Sequence, residues 1–210
     1  MKKCLFCDII HNKNNERSAL DNAVLYEDSN FLIKPALGAL TEGYLVMMPK
    51  RHVFSMAELS DAEIREYFSL EGETKDIISR EYGIDPIVLE HGSGNGKGKF
   101  DGSIVHAHSH VVPINFAPQE HENFIEEYAM QEFNLSKLQR FSGLPYYLYT
   151  DQTNTSNISE IKGDAHQSQN LRLKIAKHLG IAEKYDWRKH AFAKNMARTF
   201  VALKEPFSKL

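Results

Sequence analysis

The sequence is poor in cysteine and has no long apolar run. Only Cys4 and Cys7 occur in 210 residues, spaced C-x-x-C. That spacing is too short for an ordinary fold-stapling disulfide, and in a reducing compartment it suggests metal binding or redox chemistry. A redox C-x-x-C sits at the start of a helix that follows a strand, and residue 4 leaves no room for that strand. Two simply packed cysteines are the third alternative. No stretch approaches the ~18 apolar residues of a membrane span. Met1-Lys2-Lys3 opens like an export signal, but the apolar run behind it breaks at Asp8, so a cytoplasmic protein with no membrane partner is expected. An excess of positive charge is also missing. Lys and Arg total 25 against 28 Asp and Glu, a formal charge of -3. This excludes a broadly basic face for long nucleic acid held by counterion release. A local basic pocket for a small anion stays open. There is no internal repeat and no low-complexity tract.

What is present reads as strands around a helix. Val24-Leu25-Tyr26 and Phe31-Leu32-Ile33 flank the polar Glu27-Asp28-Ser29-Asn30, a hairpin pattern. Tyr44 to Met48 is an apolar run stopped by Pro49. Ser60-Asp61-Ala62-Glu63 is a capping box, and Ile64, Tyr67, Phe68, Ile77 and Ile78 follow at roughly helical spacing up to Gly83. This predicts a long helix over 61–82. Ile87-Val88-Leu89 opens a strand, and Ser103 to Val112 reads as another, ended by Pro113. Residues 1–115 thus read as an α+β domain with an antiparallel sheet. Residues 116–210 read as a mixed, mainly helical extension packed on it. Helices are predicted over 120–132, 167–178 and 190–203, a strand over 145–149, and a polar loop over 152–164.

His106, His108 and His110 are spaced by two, so in a strand all three face one way, ~6.7 Å apart along the chain. Imidazole is seldom a core material, because each ring needs a partner for its polar nitrogens. It is largely neutral at pH 7, and a neutral ring nitrogen can act as a nucleophile while a neighbour donates a proton. A metal-binding strand or a chance polar face are the alternatives. Upstream, the stretch from His91 to Lys99 carries four glycines. Backbone N–H groups in such a loop can approach a phosphate, with Lys97 or Lys99 adding charge. A plain surface loop is the alternative, and the spacing is not that of a Walker A loop.

The segment His106-Ala107-His108-Ser109-His110-Val111-Val112 resembles the motif of the histidine-triad (HIT) nucleotide hydrolases and transferases. Ser109 departs from the apolar residue usual at its place. The resemblance extends to Cys4-Leu5-Phe6-Cys7-Asp8-Ile9-Ile10, to Leu25-Tyr26-Glu27-Asp28, and to the stretch Gly43 to His52, in the family's order over residues 4–113. It implies a HIT-like antiparallel sheet with a long helix. It further implies that His108 attacks an α-phosphate to form a nucleotidyl-histidine. His110 then assists at the phosphate or leaving group, and Ser103 contacts one of them. His91 and Ser93 stand where relatives carry an asparagine near the strand end, and are candidate substrate contacts. By likeness to zinc-binding relatives, Cys4, Cys7, His52 and His106 would hold a structural zinc ion, a set suited to tetrahedral zinc. The family's ribose-binding carboxylate would fall near Ala36, where this chain has none.

The segment after residue 115 looks like extensions of some bacterial HIT-like hydrolases. Within it, Arg172, Lys174 and Arg188 are candidate contacts for a polyphosphate, with solvated helix charge as the alternative for each; Trp187 reads as packing. The implied substrates are small nucleotides, of the dinucleoside polyphosphate or nucleoside phosphoramidate type, and the implied assembly is a homodimer. A nucleotidyltransferase or phosphorylase is the second reading. A nucleotide-binding or scaffolding module with little turnover is the third.

Overall fold

Runs such as Phe31-Leu32-Ile33 and Leu45-Val46-Met47-Met48 are apolar at every position, which a strand tolerates only if both of its faces are covered. The computed structural model, which describes residues 4–11, 18–96, 104–162 and 169–210, has that arrangement. In chain order the elements are α1 (Leu5–Ile10), β1 (Tyr26–Glu27), β2 (Phe31–Pro35), β3 (Leu45–Pro49), α2 (Asp61–Tyr82), β4 (Ile87–Ser93), β5 (Ser109–Val112), α3 (Pro118–Glu127), β6 (Gln131–Glu132), β7 (Pro145–Thr150), β8 (Ser156–Glu160), α4 (Asn170–His178) and α5 (Ala193–Phe207), with short 3-10 turns between some of them. The strands form one sheet in the order β1-β2-β3-β5-β4-β7-β8-β6, and every pairing is antiparallel. This is an α+β fold. The sheet does not stop at residue 115, because β7 pairs with β4 along its length, from Val88 opposite Thr150 to Ser93 opposite Pro145.

The alternation of side chains separates two apolar layers. On one face Tyr44, Val46, Leu89, Val112, Tyr147 and Tyr149 pack with Phe6 of α1, Phe124 of α3 and Leu171 and Ile175 of α4. On the other, Leu45, Met47, Val88, Val111, Tyr146 and Leu148 pack with Ile64, Tyr67, Ile77 and Ile78 of α2 and Leu203 and Phe207 of α5. Helix α2 starts and stops where its sequence says it should. The Ser60 side chain accepts from Glu63 N–H and the Glu63 carboxylate accepts from Ser60 N–H. Gly83 closes it at φ 66°.

Four expectations are corrected. The triad does not lie in one continuous strand: the ladder begins at Ser109, so only His110 is within it. Ahead of it the chain bonds elsewhere, with Ala107 N–H donating to Val53 O at 2.8 Å. The polar stretch after Gln152 is not all loop, because Ser156–Glu160 forms β8. There the Asp151 carboxylate accepts from Thr153 N–H and Thr155 N–H and turns the chain back. The helix expected over 120–132 runs from Pro118 to Glu127 and is followed by β6. The helix expected over 190–203 runs instead from Ala193 to Phe207.

Beneath α2 lies a buried polar group. The Glu90 carboxylate accepts from Met56 N–H and Tyr146 O–H, each at 2.8 Å. Burial pushes both Glu90 and Glu71 up to about 7. The folded protein therefore keeps the Glu90 proton up to about pH 7, while the unfolded chain releases it near 4.5. Between those values folding takes up a proton, so this group's contribution to stability falls as pH rises and is lost above pH 7. Glu90→Gln should flatten the loss of stability between pH 5 and pH 8 in urea titrations; an unchanged slope would show that Glu90 does not titrate there.

Candidate active site and metal-ligand cluster

Cys4 stands at the N-cap of α1 and Cys7 one turn later, and residues three apart share a helix face. Cys7 Sγ is 3.1 Å from His52 Nδ1 and 3.5 Å from His106 Nδ1, and Cys4 Sγ is 3.7 Å from His106 Nδ1. All four donor atoms lie within 4.8 Å of one another, so the group could hold a metal ion. Bonds of about 2.3 Å to sulfur and about 2.0 Å to nitrogen around a tetrahedral centre imply S···N separations of about 3.5 Å. The donor set fits that size. His106 is buried, and its Nε2–H donates to Pro49 O at 2.7 Å, which leaves Nδ1 bare toward the cysteines. Burial lowers His106 to about 4, in keeping with a neutral ring. Burial and the neighbouring Cys4 push the Cys7 thiol up to about 12; a bound cation would reverse that preference. Between the two cysteines, Phe6 turns toward the triad, edge-on to His106 and His108 at 6.0 and 5.0 Å between centroids.

The other two histidines face a pocket. His108 Nδ1–H donates to its own neighbour's carbonyl, His106 O, at 2.7 Å. The ring is thus fixed with Nε2 carrying a free lone pair. His108 and His110 stand 4.8 Å apart between ring centroids. Burial lowers both below the ordinary imidazole value, His110 well below, with His108 and Arg172 adding to the effect on His110. The pocket is open to solvent. Its apolar wall is Phe6, Ala36, Leu37, Val46, Ile104 and Trp187, and its polar wall is His91, His108, His110, Gln169, Asn170 and Arg172, with Tyr147 between. None of these lining residues is a carboxylate, and Ala36 stands where the resemblance places a ribose-binding acid.

Arg172 is the cation of this wall and is buried. Its Nη2–H donates to Gly38 O at 2.7 Å and its Nε–H to Tyr185 O at 3.0 Å. Among the described residues no carboxylate forms an ion pair with it. Gly38 lets Trp187 pack close to this backbone: at φ 67°, an added Cβ would lie 2.8 Å from Trp187 Cβ.

Of the sequence candidates, His91, His108, His110 and Arg172 meet in the pocket, and Cys4, Cys7, His52 and His106 meet beside it. Ser93 does not join them. As the last residue of β4 it is buried, and its N–H donates to Phe54 O. Ser103, Lys97 and Lys99 lie outside the described residues. Lys174 pairs with Glu127 and Arg188 with Asp186, away from the lining. Trp187, expected only to pack, lines the pocket. Sequence reasoning passed over Tyr44, Gln169 and Asn170. Tyr44 looked like one more apolar strand residue, and nothing local tied the two amides to a site 60 residues upstream.

The departure at Ser109 is explained by what lies opposite. Ser109 points away from the pocket, under α2, where Tyr67 O–H donates to its Oγ at 2.5 Å. The polar residue therefore does not disturb the histidine face.

No family model matches the chain. Over 112 residues it is 29% identical to the protein called "Protein hit" of Bacillus subtilis, an alignment covering 53% of this chain and 71% of that protein. Over 110 residues it is 26% identical to an uncharacterized HIT-like protein of Methanocaldococcus jannaschii, covering 52% and 78%. A solved structure of a HIT-family member from Bacillus subtilis superposes with a TM-score of 0.42 at 22% identity, over 61% of this chain and 96% of that one. The sequence likenesses support membership of the HIT family.

Tyr67→Phe removes the partner of the buried Ser109 hydroxyl and should cost about 1–3 kcal/mol in chemical denaturation. A loss below the error of that measurement would mean that Ser109 finds another partner.

Proposed function

We propose that the chain is a nucleotide phosphohydrolase of the HIT type. The observation that carries this reading is the free Nε2 of His108, beside His110 and in one pocket with the buried Arg172. In the proposed first step, His108 Nε2 attacks the α-phosphorus. A P–N bond forms as the bond from phosphorus to the leaving group breaks, and the leaving group takes a proton by way of His110. In the second step water attacks the same phosphorus and passes a proton back to His110, the P–N bond breaks, and a nucleoside monophosphate leaves. Arg172 and His91 are the proposed substrate contacts, with the Arg172 charge available to phosphate oxygens. Substrates of the dinucleoside polyphosphate or nucleoside phosphoramidate type fit this chemistry. The absence of a lining carboxylate supports weak discrimination at the sugar hydroxyls.

We also propose that Cys4, Cys7, His52 and His106 hold a structural zinc ion. When bound, it would neutralise the two thiolates and tie α1 to the segment before His108. Phe6, held by that tie, packs edge-on against His108 and limits its ring. Residues 1–115 are proposed as the catalytic part and 116–210 as an extension that completes the pocket wall. The resemblance implies a homodimer; both edges of β4 are already paired within the chain, so self-association would use another surface.

Intact mass after brief reaction and an alkaline quench should show a nucleotidyl adduct on wild type and none on His108→Ala, with turnover lower by roughly a thousandfold or more. Equal turnover by His108→Ala would refute the mechanism. Native mass spectrometry should find one zinc ion per chain. Cys4→Ser combined with Cys7→Ser should lose it and melt at a lower temperature, as chelation should also make wild type do. A metal-free wild type with the same melting temperature would end the zinc proposal.

A further inference from the structure

The Tyr44 hydroxyl lies 3.0 Å from Nδ1 of His110. Tyr44 is fully buried, and its ring meets the imidazole edge-on, 5.6 Å between centroids. The Arg172 guanidinium stands 5.7 Å from the centre of the Tyr44 ring, fixed there by the carbonyls of Gly38 and Tyr185. These three groups come from distant parts of the chain: Tyr44 precedes β3, His110 is in β5, and Arg172 is in α4.

Their hydrogen-bonding capacities give the array a direction. An arginine only donates. A permanent cation beside a phenol favours the oxygen lone pairs turned toward it, and leaves the O–H proton for an acceptor elsewhere. The hydrogen-bond partner of that hydroxyl is Nδ1 of His110. A neutral imidazole that accepts at Nδ1 carries its proton on Nε2. His108 has the opposite assignment, because its Nδ1–H donates to His106 O and its Nε2 is bare. The two neighbouring rings are thus set as one nucleophile and one proton donor.

We propose that Tyr44 is a positioning residue, kept in its donating sense by Arg172, that holds His110 as the Nε2–H tautomer facing the pocket. The proposal rests on the reading of His110 as the group that assists at the phosphate or leaving group. It gives the segment after residue 115 a second task beyond binding substrate, since Arg172 orients a side chain of the triad.

The test is nuclear magnetic resonance of the full-length protein with ¹⁵N-labelled histidine. Long-range proton–nitrogen correlations report each ring's tautomer, and His110→Gln identifies the His110 signals. Wild type should show His110 protonated at Nε2. Tyr44→Phe, which removes one oxygen and keeps the ring in place, should give His110 a population protonated at Nδ1. Arg172→Met should do the same while Tyr44 is intact. With a nucleoside phosphoramidate as substrate, Tyr44→Phe should lower kcat roughly tenfold and leave KM within about twofold. A wild-type His110 protonated at Nδ1, or a tautomer unmoved by both substitutions, overturns the proposal. Absence of turnover by wild type would instead remove the hydrolase reading, and the tautomer spectra would still decide the role of Tyr44.

Discussion

The arrangement depends on β5 being held in register between β3 and β4. His110 lies opposite Val46 on one side and Leu89 on the other, and Ser109 opposite Met47 and Glu90. Side chains alternate with a period of two, so a slip of one residue would drive the imidazole under α2 and bring a hydroxyl to the pocket. Apolar matching alone does not prevent that slip, because both faces of this part of the sheet are apolar. The polar groups of the far face do. Ser109 bonds to Tyr67, and Glu90 to Met56 N–H and Tyr146. A buried polar group deprived of its partner costs more than a displaced methyl group, so these bonds specify the register from behind the site.

Just ahead of the ladder the chain turns the triad to two uses. His106 is oriented by Pro49 O toward the cysteines, while His108 is oriented by the backbone of His106 toward the pocket. One carbonyl thus aims a nitrogen of the proposed metal-ligand set and the other orients the proposed nucleophile. Phe6 touches both rings. The short α1 connects the two uses because a helix of six residues can present Cys4 and Cys7 on one side and Phe6 on the other.

The second half of the chain contributes in two ways. Strand β7 covers an edge of β4 that would otherwise offer unpaired backbone groups. Helix α4 brings Arg172 across the sheet to Gly38 and Tyr44, where backbone carbonyls hold a charge that no described carboxylate neutralises. A buried, unpaired cation costs stability unless an anion arrives. In the proposed phosphate pocket the same charge is present beside the two histidines before any ligand binds.

Much of this was legible in residue order. The capping box and Gly83 bounded α2, the polar turn between Leu25 and Phe31 marked the first hairpin, and the alternation of histidines announced a chemical face. These features are local: each rests on neighbours within a few residues, where spacing translates directly into geometry. The break in the triad strand was not legible, because it arises from a bond between Ala107 and Val53, and β8 was hidden because its Ser and Asn residues are buried only by pairing with β7. The roles of Ser109, Tyr44 and Arg172 were equally silent. Residue order set the strand and helix periods and the residue types available for chemistry. Which of them meet was settled by the folded chain, because hydrogen bonds and close packing act between atoms a few ångströms apart, however many residues of chain lie between them.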